Sequence, residues 1–140
     1  MKTTKHIKGT SSLLIAAEFF VSSGIPVFLP IDDFGEGDLV IDEGSNLKKV
    51  QVKTIYWDTN KSRYLISCVT SHIRGNKRRT NKKYTQSSFD CLVGIEKETG
   101  SIYQIPIDKI KGRRSVTVYP KGKPESVSSR YQDFEKYKIR

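Results

Sequence analysis

The stretch Asp38-Leu39-Val40-Ile41-Asp42, followed by Glu43-Gly44-Ser45-Asn46 and then Leu47-Lys48-Lys49-Val50-Gln51-Val52-Lys53-Thr54, decides the fold. Two apolar runs flank a turn signal, which reads as a β-hairpin: Asp38 opens the first strand and residues Leu47 to Trp57 return. Side chains alternate along a strand, so Val50, Val52 and Thr54 point one way while Gln51 and Lys53 point the other. A lysine in an apolar strand is costly to bury unless an anion meets it. Gln51 and Lys53 share a face, with Cα atoms about 6.5–7 Å apart, and the hairpin can bring Asp38 alongside them. A carboxylate, an amide oxygen and an ammonium converging at a sheet edge are able to hold a divalent cation against a phosphate.

Outward from the hairpin, Gly9-Thr10-Ser11-Ser12 supplies N-cap candidates for an apolar helix over about 11–23, and Gly24 is its stop. That helix is apolar nearly all round, as expected between a sheet and another helix or subunit. Residues 1–8 read as a basic arm. Ile25 to Pro30 is a short edge strand, and the acidic, glycine-rich Asp32-Asp33-Phe34-Gly35-Glu36-Gly37 turns into Asp38. Downstream, Arg63 to Val69, Phe89 to Ile95, Ser101 to Ile107 and Arg114 to Tyr119 read as strands. Lys121 to Pro124 is a linker, and residues 125–138 are expected to form a polar helix with Val127, Tyr131, Phe134 and Tyr137 as its apolar stripe. The expected architecture is one mixed α/β (α+β) domain over 1–140, with a central mixed sheet and flanking helices.

The 140 residues suffice for one domain with its own core. With 36% hydrophobic and 29% charged residues, much of the chain must be surface, and the formal charge of +10 points to a polyanionic partner, to a basic membrane-surface patch, or to neither. Nucleic acid is the first choice, because the basic residues are interleaved with Tyr, Thr, Ser and Asn that contact phosphates and bases. An RNA-binding protein satisfies the charge equally well. Residues 70–88 are the most basic segment: Arg74, Lys77, Arg78, Arg79, Lys82 and Lys83 run uninterrupted by an acid, and Gly75-Asn76 is a turn signal. A flexible loop or an extended two-stranded ribbon fits, with arginines able to read guanine and lysines to neutralise phosphates. Arg113, Arg114, Lys121 and Lys123 extend the footprint. Cys68 and Cys91 lie in apolar strand-like runs without CxxC spacing, so they read as buried reduced thiols in a cytoplasmic protein, not as zinc ligands; a disulfide is the alternative. His6 and His72 lack ligand spacing. Tyr56, Trp57, Tyr64 and Tyr103 read as core or interface aromatics. The run Leu13 to Val21 contains Glu18 and is too short for a signal or a membrane span.

Gly37-Asp38-Leu39-Val40-Ile41-Asp42 and Val50-Gln51-Val52-Lys53-Thr54, with Lys8-Gly9 at the first helix and Ser101 to Ile107 late in the chain, resemble the PD-(D/E)XK nuclease superfamily. They are most similar to the cyanobacterial group I intron homing endonucleases whose last motif is Gln-x-Lys. The resemblance covers roughly residues 5–120. It implies a restriction-endonuclease-like core and a site-specific, Mg²⁺-dependent double-stranded DNA endonuclease, with other divalent cations able to serve. It further implies Asp38, Gln51 and the Val52 carbonyl as metal ligands and Lys53 as the group that orients water or neutralises phosphate. One active site per subunit implies a homo-oligomer, a dimer or a dimer of dimers, on a pseudo-palindromic target.

One position departs from that family. Its helix-1 glutamate, about four residues after a glycine matching Gly9, falls here on Leu13. Glu18 lies five residues on, about 140° around the helix, and so cannot take the same direction. Either Asp32, Asp33 or Glu36 supplies the acid, or metal affinity is reduced, or the chain no longer cuts. A Holliday-junction resolvase-like nuclease and a catalytically impaired DNA-binding module are therefore the alternatives.

Overall fold

The structure, a computed structural model, describes the backbone of residues 4–32, 37–74 and 78–140, and side chains within these ranges except at 4–6, 71–74 and 78–81. Helix α1 runs Thr4–Ser22. It starts a turn and more before the expected N-cap, so residues 4–8 are helix and not a loose arm. Gly9 does not stop it: one exposed glycine costs about 0.5–1 kcal/mol relative to alanine, which the anchored turns behind it offset. The stop is as expected. Gly24 takes φ +78°, its N–H bonds Val21 O, and Ile25 N–H bonds Phe20 O at 2.9 Å, the paired bonds of a Schellman end.

A five-stranded sheet of order β1-β2-β3-β8-β9 positions everything else. Its strands are β1 (Val27–Phe28), β2 (Leu39–Glu43), β3 (Asn46–Thr54), β8 (Cys91–Ile95) and β9 (Ile102–Pro106). All neighbours are antiparallel except β3 and β8, which run parallel. The β2–β3 hairpin closes on two residues, Glu43 opposite Asn46, with Gly44 at φ +76°. Positive φ at the first loop residue is what a type II′ turn needs, and glycine meets it without strain.

The return strand is shorter than expected. It ends at Thr54, and β4 (Tyr56–Asp58) belongs instead to a second sheet of order β10-β5-β4, with β5 (Arg63–Ser67) and β10 (Ser115–Val118). The alternation breaks there: Val50 and Val52 are buried, but the next buried residue is Ile55, out of phase with them, where the chain crosses from one sheet to the other. The basic segment is a two-stranded antiparallel ribbon, β6 (Val69–Arg74) and β7 (Arg78–Lys83), with Arg74 opposite Arg78 and Thr70 opposite Lys82. Gly75, Asn76 and Lys77 lie outside the described residues.

The central sheet is buried on both faces. Toward α1, Ala16 and Phe20 pack on Leu39, Ile41, Val50, Val52, Cys91, Val93, Ile95 and Ile102. On the other face, Leu92 and Ile105 meet Ile55, Ile66, Val116 and Val118 of the second sheet, with Tyr84, Phe89 and Ile110. Each fully buried large side chain contributes about 1.5–3 kcal/mol. Gly94 sits where the two sheets come closest: a Cβ there would stand 3.0 Å from Ile55 Cδ1 and 3.1 Å from Ile66 Cδ1.

Residues 125–138 do not form the expected helix; only a 3₁₀ turn, Glu135–Tyr137, is regular. Ser126, Ser128, Ser129 and Asp133 favour turns over helix interior, and the aromatic residues dock separately. Tyr131 Oη donates to Thr117 O at 2.8 Å and its ring meets Tyr119 edge-on. Phe134 is buried in the second core, Tyr103 Oη donates to Glu135 Oε2, and Ile139 N–H bonds Ile102 O. The stripe of aromatics was legible; their spacing fits an irregular strap as well as a helix.

Both cysteines are buried and unpaired with each other, and burial pushes each thiol up to about 11. Among the described residues no helix is long and apolar enough to cross a membrane.

Candidate active site

Strand β2 pairs with β3 only as far back as Leu39↔Val50, whereas β3 continues beside β8 to Thr54. Past Val50 one edge of β3 therefore loses its strand partner, and its N–H and C=O groups need other company. Asp38 stands at that step. Its N–H bonds Val50 O at 2.7 Å, and its Oδ2 accepts the Val52 N–H at 2.9 Å. The carboxylate thus replaces one missing rung of the ladder. The same Oδ2 accepts Gln51 Nε2 at 2.7 Å, and Gln51 Oε1 accepts the Gly37 N–H at 3.0 Å. Gly37 adopts φ +119°, and a Cβ on it would come within 2.7 Å of the Lys49 side chain, so only glycine presents its N–H to Gln51 in this way.

Gln51 Nε2 also lies 3.4 Å from the Val52 carbonyl. Two oxygens, one carboxylate and one main-chain, therefore converge on the positive end of the amide dipole. A hard cation seeks that same environment, and a half-turn of the amide about its last torsion exchanges nitrogen for an oxygen ligand. Among the described residues no three His, Cys, Asp or Glu side chains gather around one point. The donor set is one carboxylate plus neutral oxygens, which fits Mg²⁺, an ion that keeps several waters.

Lys53 lies on the Gln51 face of β3. Its Nζ donates to Val69 O at 3.1 Å and stands 5.7 Å from the centre of the Tyr84 ring. Val69 begins the basic ribbon and Tyr84 follows its end, so the ammonium is braced by both feet of that ribbon. Neither contact is visible in the sequence pattern; the one available signal is that Tyr84 directly follows Lys82-Lys83. Opposite, Ser12 Oγ and Thr54 Oγ1 share a 2.7 Å hydrogen bond that pins α1 to the same stretch of β3. Ser12 is 1% exposed, so this bond fixes the helix register against the site.

A cleft of about 280 Å³ opens beside Asp38, lined by Leu13 of α1, by Pro30 and Asp32, and by Gly37. Leu13 thus lines the same cleft as Asp38 and presents a methyl pair to it. Asp32 lies in the same cleft. Asp33 and Glu36 fall outside the described residues. Glu18 is elsewhere: it accepts Ser22 Oγ at 2.7 Å and faces Arg140 at 3.9 Å on the outer side of α1. Of the basic residues, Lys82 and Lys83 are exposed, while the side chains of Arg74, Arg78 and Arg79 and all of Lys77 lie outside the described set.

A family model described as PD-(D/E)XK endonuclease matches residues 3–140. Among solved structures, a bacterial homing endonuclease, I-Ssp6803I, superposes with a TM-score of 0.79 at 23% identity, covering 97% of this chain and 89% of that one. No curated protein matches.

Proposed function

The chain belongs to the PD-(D/E)XK endonuclease family, and from that premise we propose that it is a site-specific double-stranded DNA endonuclease of the intron-homing type, dependent on Mg²⁺ or a similar divalent cation. The observation that carries this reading is the meeting of the Asp38 carboxylate, the Gln51 amide and the Val52 carbonyl at the open edge of β3, with Lys53 on the same strand face. Asp38, Gln51 and the Val52 carbonyl hold the ion in this proposal. Bound there, the ion supplies a water of lowered pKa and charge relief for the scissile phosphate.

The protein's own groups do the rest. The Asp38 carboxylate accepts the Val52 N–H and so keeps the edge in register. Lys53 meets a phosphate oxygen as a point charge, and its tether to Val69 O keeps the ammonium from wandering. The ribbon carrying Arg74, Lys77, Arg78, Arg79, Lys82 and Lys83 tracks the duplex, and its feet on Lys53 couple DNA seating to the catalytic strand. Asp32 supplies a second carboxylate to the cleft in place of the acid missing at Leu13. Two subunits, or a dimer of dimers, cut both strands of a pseudo-palindromic site.

Plasmid DNA incubated with the protein and Mg²⁺ tests this. Defined cleavage by the natural sequence, lost in Asp38→Ala and Lys53→Ala with binding retained, supports the enzyme. Leu13 in the cleft favours one other reading, a DNA-binding module that no longer cuts; binding without cleavage in Mg²⁺ or Mn²⁺ establishes it. Cutting confined to four-way junctions replaces the homing role with a resolvase.

A further inference from the structure

The outer face of α1, turned away from the sheet, carries Ile7, Leu14 and Val21, which are 59%, 61% and 61% exposed. They recur every seven residues, so they form one stripe that drifts only about 20° per step. Soluble helices seldom leave three large apolar groups in line to water. Beside the stripe lies an apolar groove of about 620 Å³, lined by Ile7, Ser11, Leu14 and Ile15 together with Glu18 and Arg140. The patch therefore holds both a knob, Leu14, and a hollow flanked by small side chains.

We propose that this face is where two copies of the chain meet, their α1 helices antiparallel about a two-fold axis beside Leu14. The proposal rests on the oligomeric reading above and assigns its interface. The spacing is the first argument. Ile7 and Val21 each lie about 10.5 Å from Leu14 along the axis, so reversal sets Ile7 of one copy on Val21 of the other and Leu14 on Leu14. An isologous contact demands this self-matching. Charge is the second. In this arrangement Lys8 of one copy comes level with Phe20 of the other, about 3 Å along the axis from Glu18. Lys8 and Glu18 lie on the same flank of the stripe, so two identical ion pairs close the contact. The incoming Lys8 shares the Glu18 carboxylate with Arg140, which already stands 3.9 Å from it.

Sedimentation of the full chain, free and bound to a DNA duplex, tests the assignment. The natural sequence is expected to assemble, and Leu14→Glu to drop the assembly by one level, since it sets two carboxylates against each other on the axis. Lys8→Glu and Glu18→Lys are each expected to weaken assembly, and the double variant to restore it. A circular dichroism spectrum unchanged from the natural sequence confirms that exposed Leu14 is not needed for the fold; should Leu14→Glu unfold, the charge swap decides alone. Assembly that survives Leu14→Glu, or a charge swap without rescue, places the interface elsewhere and overturns this assignment while leaving an oligomer intact. A chain that stays monomeric both free and on DNA overturns the oligomeric reading as well. Nicking of one plasmid strand needs only a single active site, so it is read separately and tests the catalytic reading whatever the assembly.

Discussion

Asp38 holds the open edge of β3 and, in the proposed function, a metal ion as well, and substituting it separates the two. Its Oδ2 accepts the Val52 N–H at 2.9 Å and Gln51 Nε2 at 2.7 Å. Hydrogen bonds to a charged group contribute about 1.5–3 kcal/mol each and neutral ones about 0.5–1.5. Asp38→Asn can keep one oxygen in place for both donors, so it loses only the charge assistance, about 1 kcal/mol for each bond at most. Half-exposure at this site lets water and salt screen the charge, which puts the expected total for Asn near 1 kcal/mol. Asp38→Ala removes the acceptor altogether and leaves the edge of β3 to water, at about 2–3 kcal/mol. With about 3–4 °C per kcal/mol for a chain of this size, the melting temperature falls slightly in Asn and about two to three times as far in Ala. Cleavage, by contrast, should vanish in both, because neither provides an anionic ligand. Thermal melts and plasmid cleavage on the same preparations check this. A melting point for Asp38→Ala indistinguishable from the natural sequence refutes the ladder argument, and native-rate cutting by Asp38→Asn refutes the ligand argument.

Three further outcomes follow from other parts of the molecule. Leu13→Glu puts a carboxylate into the cleft beside Asp38. It should tighten Mn²⁺ binding measured by calorimetry, and unchanged affinity means that the side chain is not at the metal site. Gly94→Ala drives a methyl within 3.0 Å of Ile55 Cδ1; it should cost about 1–3 kcal/mol by overpacking, and a neutral denaturation midpoint shows that the two sheets are looser than drawn. Glu96 is 6% exposed, and burial alone would raise its pKa, but hydrogen bonds from the Thr99 hydroxyl, the Thr99 N–H and the Glu98 N–H outweigh burial and hold it below the ordinary 4.5. A depressed carboxyl contributes stability that is complete above the unfolded pKa and is lost as pH falls through the folded one. The natural chain should therefore lose more stability on acidification below about pH 4.5 than Glu96→Gln does, and parallel melting profiles for the two contradict it.

The candidate site was legible where chemistry and local pattern coincide. Alternation along β3 puts Gln51 and Lys53 on one face, and the Gly-Asp pair before a strand marks the other side of the hairpin; both depend only on strand geometry and a two-residue turn. The helix stop at Gly24 was equally local. The expected C-terminal helix failed because an aromatic stripe reports burial, not backbone conformation. Tyr131, Phe134 and Tyr137 are satisfied by docking one at a time along the sheet.

Alone, the sequence determined the hairpin, the basic ribbon as one of two possibilities, the apolar first helix and the residue types able to hold a cation and a phosphate. These follow from periodicity, turn chemistry and charge, all local along the chain. Tertiary structure alone decided that β3 outruns its partner, so that the Asp38 carboxylate fills a vacant rung, and that Lys53 is braced by both ends of a ribbon that opens 16 residues after it at Val69. It also decided that Leu13 and Asp32 share one cleft. Such arrangements join groups far apart in the chain, and only the packing of sheet, helix and ribbon brings them within hydrogen-bond reach.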